Sequence, residues 1–489
     1  MYDIAIIGFG PVGACFAGLV AKSGLKVAVI EKDKEVFPLP RAAHVDHTGL
    51  RAVQEMGCLV EVLVDVVRNK RLDIVNADHE VLVRTPADQE SVSGLPTSIY
   101  FYQPDFDRAL RKQAASHDNV TVHLGSEMTR IKNHQDHVDI DLKDEDGTAS
   151  AIRAKWVVGC DGAWSPVREA LDIKLESLNF DEQWLVVDVV LDSPQDNPWS
   201  NHAVEVCDPG RPYLSTPICG NRHRFEVMLL PGETAENIDK EALVRERLSA
   251  WFPEGGYKIE RAAVYTFHGV VAENWRKGRT FIAGDAAHQT PPFLGQGMVA
   301  GFRDASNLAW KLVSVLKGAH PESLLDSYES ERKPHAIKVI EAAIRIGKVI
   351  CVLDPEKAKE RDKLLLANDP TTHKSLVFKN PPFKQGTYVL PGGGKLFVQP
   401  EIDSKRLDDI VGTRFFVLGR DEGALGDAAD WWRDQTGAMV TTLADMNSPD
   451  LAAWMDRKSV DVVVVRPDRY VLGAGNSLQE ITDKVAPHL

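Results

Sequence analysis

The sequence lacks the features that anchor a chain in a membrane, crosslink it or build it around zinc. Its six cysteines form no CxxC pair and no Cys/His cluster with metal-ligand spacing, so neither a disulfide framework nor a metal site is expected. No apolar run approaches the roughly 18 residues that span a bilayer, and the first residues read as a strand, not as a signal peptide. Positive charge is also in deficit, since the net charge is -14, which disfavours nucleic acid and anionic lipid as partners. These absences predict a cytoplasmic protein with no metal, no nucleic-acid partner and no membrane association.

The order of apolar runs predicts an α/β protein of two or three domains. The chain opens with a strand, a glycine turn, a helix of small apolar residues and a second strand, which together make a βαβ unit. Near Phe180 the pattern changes to short alternating strands, and a Pro/Gly-rich stretch precedes the last hundred residues. We therefore expect an α/β domain over 1–178 and 273–350, an inserted, largely antiparallel β-sheet domain over 179–272 that binds substrate, a linker region over 351–395, and a thioredoxin-like domain without cysteines over 396–489.

The first turn carries the pattern GxGxxG at Gly8, Gly10 and Gly13, with Pro11 and Val12 between the last two glycines. In a strand–turn–helix context, these glycines allow the tight turn, the approach of a pyrophosphate and close packing of helix on sheet. Glu31 ends the second strand, where an acid accepts hydrogen bonds from ribose hydroxyls, and Lys32 follows it. The pattern predicts a bound dinucleotide without separating FAD from NAD, and a glycine turn of another α/β protein is the alternative.

Two later motifs favour FAD. Asp161-Gly162 precedes Ser165-Pro166, and the last two residues are also a good helix start. Gly284-Asp285 follows a predicted strand, and Pro292 comes a few residues later. Gly295, Gln296, Gly297 and Met298 then lead into a predicted long helix. An acid at a strand end suits a ribityl hydroxyl, and a helix N-terminus stabilises negative charge on a reduced flavin ring.

With these motifs, supported by Pro40-Arg41 and Gln103-Pro-Asp-Phe-Asp107, the chain resembles the class A flavoprotein aromatic hydroxylases, which have the p-hydroxybenzoate hydroxylase type of Rossmann-like FAD domain. It resembles most the branch of 3-(3-hydroxyphenyl)propionate, resorcinol and polyketide-aromatic hydroxylases. The resemblance implies tightly held FAD, NADPH or NADH as a transient co-substrate, dioxygen, and hydroxylation of a phenolic molecule through a C4a-hydroperoxyflavin. It further implies FAD contacts at Arg41, Gln103, Asp161 and Asp285, and a possible homodimer.

Hydroxylation of a phenol is helped by a base near the ring, because a phenolate is the better nucleophile. The candidates are His44 and Asp46 after Arg41, Tyr213 on the inserted sheet, and His288 in the third motif, although a core or solvated role suits each of them as well. Arg211 is a candidate partner for a substrate carboxylate, with a surface turn as the alternative. Arg303 and Asp304 read as a solvated salt bridge on the long helix.

Other functions remain open at this point. A reductase or dehydrogenase of the same fold, a hydroxylase of polycyclic or N-heteroaromatic substrates, and a non-catalytic flavin-binding protein are the alternatives. A flavin-dependent halogenase would carry a WxWxIP motif, which Trp431-Trp432 does not match.

Overall fold

A computed structural model describes residues 1–193, 201–249 and 256–489. The stretches 194–200 and 250–255 of the expected insert lie outside the described residues. Within the described ranges, no helix combines the length and the apolar character needed to cross a bilayer.

The first sheet, here called the nucleotide sheet, has a parallel centre. Val27–Glu31 and Ala149–Gly159 flank the first strand, Tyr2–Ile7, which is buried from Ile4 onward. Two consecutive parallel strands need a crossover connection, and the helix Pro11–Ala21 supplies it. The remaining strands of this sheet are Val120–Leu124, Ser126–Asn133, Val138–Asp144, Arg276–Lys277 and Thr280–Ile282.

The second sheet, here called the large sheet, contains the expected insert and also strands from outside it. Leu175–Leu191 and Tyr257–Ala272 form a long antiparallel pair near one edge of this sheet. His288–Gln289 forms the edge strand next to Tyr257–Ala272. On the other side of Leu175–Leu191 the strands follow in the order Arg222–Met228, Tyr213–Pro217, Ala203–Cys207, Arg71–Asn76 and Val81–Pro86. The hairpin 71–86 comes from the first segment of the chain and joins Ala203–Cys207 in parallel. A self-contained insert over 179–272 is therefore too narrow a description of this sheet.

A third, three-stranded antiparallel sheet contains His44–Asp46, Ser98–Tyr100 and Val67–Arg68, with Ser98–Tyr100 in the middle. The helices of the first 350 residues are Pro11–Ala21, His47–Met56, Leu59–Val62, Gln103–Ala115, Pro166–Ala170, Lys240–Ser249, Gly297–Leu316 and Asp326–Ile350, with 3-10 turns at Gly284–Ala286, Pro292–Leu294 and Glu322–Leu325.

The segment 351–395, expected to be a linker, is packed against the rest of the protein. It includes the helix Pro355–Leu366 and a 3-10 turn at Pro370–Thr372. Phe383 is buried and stacks on Tyr470, with 4.2 Å between the ring centroids. The Pro and Gly residues of this segment interrupt helices and strands, but the segment still packs against the rest of the protein.

The C-terminal part has a four-stranded sheet in the order Met439–Thr442, Phe416–Gly419, Val462–Val465, Val471–Gly475. The first pair is parallel and the other two pairs are antiparallel. The short hairpin Glu401–Ile402 with Lys405–Arg406 precedes it, and the helices are Leu407–Val411, Glu422–Leu425, Ala428–Thr436, Leu443–Met446, Pro449–Lys458 and Leu478–Val485.

Candidate active site

A cavity of about 1770 Å³ lies between the carboxyl ends of the nucleotide sheet and one face of the large sheet. Pockets for a single drug-sized ligand measure roughly 300–1000 Å³, so this cavity has room for a dinucleotide and a second small molecule. Gly10 and Asp285 line what we call its nucleotide half, and Leu214 and Phe267 line its sheet half. The carboxyl ends of parallel strands are the usual ligand site of such sheets.

The glycine turn has the geometry that a dinucleotide requires. Gly8 has a φ of +97°, and a Cβ atom there would lie 2.5 Å from the carbonyl oxygen of Cys160. A Cβ atom on Gly13 would lie 2.0 Å from the carbonyl oxygen of Gly8, so helix and strand approach each other only because both residues lack side chains. Gly10 differs, since a Cβ atom there would meet no protein atom within 4 Å and would project into open space. Pro11 follows as the first helical residue, and the N-terminus of the helix faces the cavity.

Glu31 is held in place at the end of its strand. Its carboxylate accepts hydrogen bonds from the backbone N–H of Phe9 at 2.7 Å and of Asp33 at 3.0 Å. Arg111 lies 3.6 Å away and donates to the carbonyl oxygen of Phe9. Both Glu31 and the exposed Lys32 line the cavity.

The Asp161 motif forms a rigid turn at the cavity wall. The Asp161 carboxylate accepts hydrogen bonds from the Ser165 hydroxyl at 2.5 Å and from the backbone N–H of Val167 at 2.9 Å. Ser165 in turn accepts from the N–H of Arg168 and caps the helix Pro166–Ala170, as expected. Burial raises the pKa of Asp161, and Gly162 continues the turn with a φ of +84°.

The third motif brings an acid and a helix N-terminus to the centre of the cavity. The Asp285 side chain is exposed toward the cavity. Desolvation by the protein around it raises the pKa of its carboxyl group. Pro292 begins a 3-10 turn that ends at Gly295 with a φ of +59°. Gly297 and Met298 then open the long helix Gly297–Leu316, and both line the cavity.

The loop at Pro40-Arg41 is held through its backbone. The Gln103 side-chain oxygen accepts from the N–H groups of Arg41 at 2.7 Å and Ala42 at 2.6 Å. On the other side, Arg224 donates to the carbonyl oxygens of Pro40 and Arg41 at 2.5 and 2.7 Å, and it forms a buried ion pair with Asp188. Arg224 is not among the candidates that the sequence offers, because its partners Pro40, Arg41 and Asp188 are distant from it in the chain. This loop therefore joins the nucleotide half to the large sheet.

His44 lies in the cavity wall beside Gly295. Its Nδ1 is 3.3 Å from the carbonyl oxygen of Gly295, and a carbonyl can only accept, so Nδ1 carries the proton and Nε2 keeps a free lone pair. Burial lowers the pKa of His44, with a smaller opposing effect of the Asp46 charge. The ring of Tyr100 lies next to it at a centroid distance of 5.9 Å. His44 is thus a neutral imidazole at neutral pH, and it lies close to residues 295–298, which include the start of the helix Gly297–Leu316.

Asp46 is a fixed anion. One carboxylate oxygen caps the helix His47–Met56 through the N–H groups of Thr48 and Gly49. The other accepts from Arg303 at 2.8 Å and from Gln296 at 3.1 Å. Burial alone would raise the pKa of Asp46, but the charge of Arg303 outweighs it and holds that pKa well below its usual range. These bonds occupy the lone pairs with which Asp46 would accept a proton.

The interpretation of Arg303 and Asp304 as a solvated salt bridge is wrong. Both side chains are buried, at 4% and 0% exposure. Arg303 binds Asp46 and Gln296, whereas Asp304 binds Arg332 at 2.8 Å. The helix Gly297–Leu316 is covered on this face by other elements, which the sequence pattern of the helix alone does not reveal.

Three further candidates are placed away from the cavity. Tyr213 packs in the apolar layer on the far side of the large sheet, because its neighbour Leu214 takes the cavity face and successive residues of a strand point to opposite faces. His288 is 1% exposed and binds Asp304 at 2.7 Å. Arg211 forms a two-fold hydrogen-bonded pair with Glu233. The predictions that Tyr213 faces a substrate and that Arg211 binds a substrate carboxylate are therefore wrong.

Comparison with known proteins decides the family. The model of a family described as FAD binding domain matches residues 1–343, and a second model, HcaD C-terminal domain, matches 426–487. A probable NADH-specific resorcinol 4-hydroxylase of Rhodococcus jostii is 32% identical over 98% of this chain and 93% of its own length. A 3-(3-hydroxy-phenyl)propionate/3-hydroxycinnamic acid hydroxylase of Mycolicibacterium gilvum is 33% identical over 96% of this chain and 89% of its own. The chain belongs to the FAD-binding hydroxylase family.

Solved structures with the same mixed α/β fold include other flavin enzymes. Aklavinone-11 hydroxylase in complex with FAD and aklavinone has a TM-score of 0.82 at 24% identity, covering 100% of this chain and 99% of that one. The rebeccamycin biosynthetic enzyme RebC with reduced flavin has a TM-score of 0.81 at 21% identity, covering 99% and 98%. This member of the family is an FAD-dependent aromatic monooxygenase that consumes NAD(P)H and dioxygen, as expected from the sequence.

The residues of the cavity fit FAD. The open space at Gly10 has room for a pyrophosphate, which a Cβ atom would narrow, and the helix N-terminus at Pro11 offers the partial positive charge that favours phosphates. Glu31 and Asp285 present carboxylates at two separate points of the same cavity, as ribose and ribityl hydroxyls require.

Proposed function

We propose that this monooxygenase hydroxylates a phenolic ring at the boundary of the nucleotide half and the sheet half, with NADH as the reductant. One observation carries the proposal: the glycine turn, the helix N-terminus at Gly297 and one face of the large sheet line the same continuous cavity. The names of the relatives from Rhodococcus jostii and Mycolicibacterium gilvum support a phenolic substrate, and the first of them supports NADH.

Each group of residues has a separate role in binding the cofactor. The turn Gly8–Gly13 and the first turn of the helix Pro11–Ala21 bind the pyrophosphate, and Glu31 and Lys32 bind the adenosine side. Asp161, Gly162 and Asp285 bind the ribityl chain. Gln103 holds the backbone of Arg41 by accepting a hydrogen bond from its N–H group. Pro292, Gly295, Gln296 and Met298 shape the wall along the ring.

When bound, FAD accepts a hydride from the nicotinamide and activates dioxygen for transfer to the aromatic ring. The N-terminus of the helix Gly297–Leu316 places its free N–H groups where they stabilise negative charge at the cofactor edge. The apolar side chains Leu214, Phe267 and Phe293 exclude water from the reacting atoms.

We assign proton transfer to His44. Its Nε2 lone pair is free, because Nδ1 donates to Gly295, and its lowered pKa keeps it unprotonated at neutral pH. A base that is neutral at working pH would take up the phenolic proton on Nε2 and so make the substrate ring a better nucleophile. Asp46 orients this region through Arg303 and Gln296 without exchanging protons.

The purified protein tests the proposal directly. We expect a yellow protein with about one FAD per chain, NADH oxidation stimulated by phenols, and a product that gains one oxygen atom from labelled dioxygen. Stimulated NADH oxidation with only hydrogen peroxide as product would contradict the proposal, and reduction of the organic substrate without oxygen would favour the reductase alternative.

We also propose three further properties of this protein. A thioredoxin-like C-terminal domain is supported by the strand order with one parallel and two antiparallel pairs. A cytoplasmic location is supported by six cysteines that are all free. A homodimer rests on the family resemblance, and a monomer mass at micromolar concentration would refute it.

A further inference from the structure

The sheet half of the cavity contains two acidic side chains in one row. The register pairs Glu205 with Ile74 on one side and with Leu214 on the other, and Leu214 with Glu226. Directly opposed residues of adjacent strands share a face, and Glu205, Leu214 and Glu226 all line the cavity. By contrast, Val204 and Val206, the neighbours of Glu205 in sequence, pack in the apolar layer behind the sheet. Both glutamates therefore face the space for the substrate.

Glu205 is buried without the partners that a buried acid normally has. Its exposure is 2%, and its Oε2 atom has no hydrogen-bond partner among the residues that the structure describes. Burial raises the pKa of Glu205 well above its ordinary value, which favours the neutral carboxylic acid, and that form can both donate and accept a hydrogen bond. Buried polar groups without partners are rare in native proteins and call for an explanation. A bound ligand that completes the hydrogen bond is such an explanation.

Glu226 is more constrained than Glu205. Burial raises its pKa to about 6, while the charge of Arg224 opposes the shift. Arg224 is 3.9 Å away and is already hydrogen-bonded to Asp188 and to the loop at Pro40-Arg41. Glu226 therefore adds a second acceptor to the row without gaining a dedicated cation.

The same half of the cavity offers no free buried cation, as far as the described residues show. Arg224 uses four of its five N–H donors on Asp188 and on the carbonyl oxygens of Pro40 and Arg41, and its Nη1 lies 3.9 Å from Glu226. His268, at the wall, is paired with Asp181. Lys379 is exposed to solvent, where a charge pair gains little. A substrate carboxylate is normally bound by an arginine through two parallel hydrogen bonds, and here it would instead meet two acids.

We propose that Glu205 and Glu226 bind the hydroxyl groups of an uncharged phenol or dihydroxybenzene and select it over aromatic substrates that carry a carboxylate. This inference rests on the proposed function and adds a substrate class to it. Tyr100 connects the row to the reacting edge, because its hydroxyl accepts from the N–H of Ala203, in the strand of Glu205, and its ring contacts His44. A ring bound at Glu205 thus lies on the same wall as the proposed base.

The experiment compares two ligands and three variants on the FAD-loaded enzyme. Dissociation constants for resorcinol and for 3-(3-hydroxyphenyl)propionate are measured from the change in flavin absorbance, without turnover. We expect wild type to bind resorcinol at least about tenfold more tightly, the factor that one hydrogen bond of ordinary strength supplies. Glu205→Leu fits the apolar neighbours Ile74 and Leu214, and it should lose most of that preference.

Glu205→Gln keeps a donor and an acceptor at the same position, so it should bind resorcinol within about threefold of wild type. Glu176→Gln, on an exposed residue of the large sheet that does not line the cavity, is the matched control and should change neither constant.

Tighter binding of 3-(3-hydroxyphenyl)propionate by wild type, or an unchanged preference in Glu205→Leu, would overturn the inference and leave the proposed hydroxylase function intact. The ligand comparison uses wild type alone, so it decides the question even if a variant fails to fold. Failure of every phenol to be hydroxylated by FAD-loaded enzyme would instead contradict the proposed function itself.

Discussion

At the residue scale, two histidines that the sequence offers as equivalent candidates occupy opposite situations. His44 lines the cavity and has one nitrogen bound to a carbonyl oxygen, which leaves the other as an acceptor. His288 is buried against the ring of Trp275 and hydrogen-bonded to Asp304. Of these two histidines, His44 alone lines the cavity, which supports it as the proposed base.

The change His44→Asn should lower kcat by roughly a hundredfold, a typical contribution of a general base, with FAD affinity unchanged. Because burial lowers the pKa of His44, wild-type activity should persist below the ordinary histidine value of 6.5 and fall only as the pH drops through the lowered pKa. That acidic limb of the kcat profile should vanish in the variant. An unaltered limb would remove His44 as the base.

His288→Asn is the matched control for this experiment. It should reduce the melting temperature, because Asp304 loses a buried partner, and it should leave the acidic limb of the kcat profile in place. If His288→Asn kept its stability but no longer showed the fall of kcat in acid, His44 would not be the base.

At the element scale, the strand–turn–helix unit at the start of the chain contains one glycine needed for folding and another whose expected role is in cofactor binding. Gly13 is needed for packing, since a Cβ atom would lie 2.0 Å from the oxygen of Gly8. Gly10 has an extended backbone that any residue can adopt, with a φ of -65° and a ψ of -176°, and open space in front of it. The two glycines of one motif thus have different physical reasons to be glycine.

Gly10→Ala should leave the melting temperature of the FAD-free protein within about 1 °C, since surface substitutions without new contacts are nearly neutral. The same change should weaken FAD binding by at least about a hundredfold, roughly the effect of losing two ordinary hydrogen bonds. Gly13→Ala, in contrast, should destabilise the FAD-free protein itself. Flavin absorbance after gel filtration and thermal unfolding check both, and equal FAD affinity in Gly10→Ala would refute the phosphate position.

At the scale of the whole molecule, the C-terminal part is tied to the long helices of the FAD domain by buried charges. Arg466 donates to Glu331 at 2.8 Å, and Lys311 donates to the same carboxylate at 3.0 Å. Arg51 pairs with Asp408 in a second buried contact. The helix Gly297–Leu316, which includes Lys311, also presents its N-terminus to the cavity, so the C-terminal part supports the helix that serves the cofactor.

Glu331→Gln should lower the apparent free energy of unfolding by about 3 kcal/mol at pH 7, because it leaves buried cations without their anion. Burial alone would raise the pKa of Glu331, but Arg466 and Lys311 lower it from 4.5 to about 2. The stabilisation is therefore complete above pH 4.5 and is lost as the pH falls toward 2, so variant and wild type should converge in acid.

Urea denaturation followed by circular dichroism measures this difference. Glu322→Gln, at a half-exposed ion pair with Arg276, is the control and should change the free energy by less than about 1 kcal/mol. A constant difference between wild type and Glu331→Gln from about pH 7 to about pH 3 would contradict the assigned ion pair.

What the sequence determined about this protein is local in origin. A glycine turn between a strand and a helix is set by the backbone of about fifteen consecutive residues, so the roles of Gly8, Gly10 and Gly13 follow from the order of residues around them. The cap at Ser165 is likewise a short-range hydrogen bond. With the Asp285 motif, these segments were enough to predict an FAD-binding α/β protein and its hydroxylase family, which the comparisons confirm.

Tertiary structure alone decided which side chains reach the substrate space. Which face of Tyr213–Pro217 meets the cavity depends on strands far away in sequence, so Tyr213 and Leu214 could not be told apart by pattern. The burial of Asp304 depends in the same way on Arg332 from another helix. Glu205 has no distinguishing motif, and its position at the cavity follows from pairing with the hairpin 71–86. Sequence patterns report short-range order, whereas the contents of a cavity between sheets are set by contacts between residues distant in the chain, such as Glu205 and Ile74.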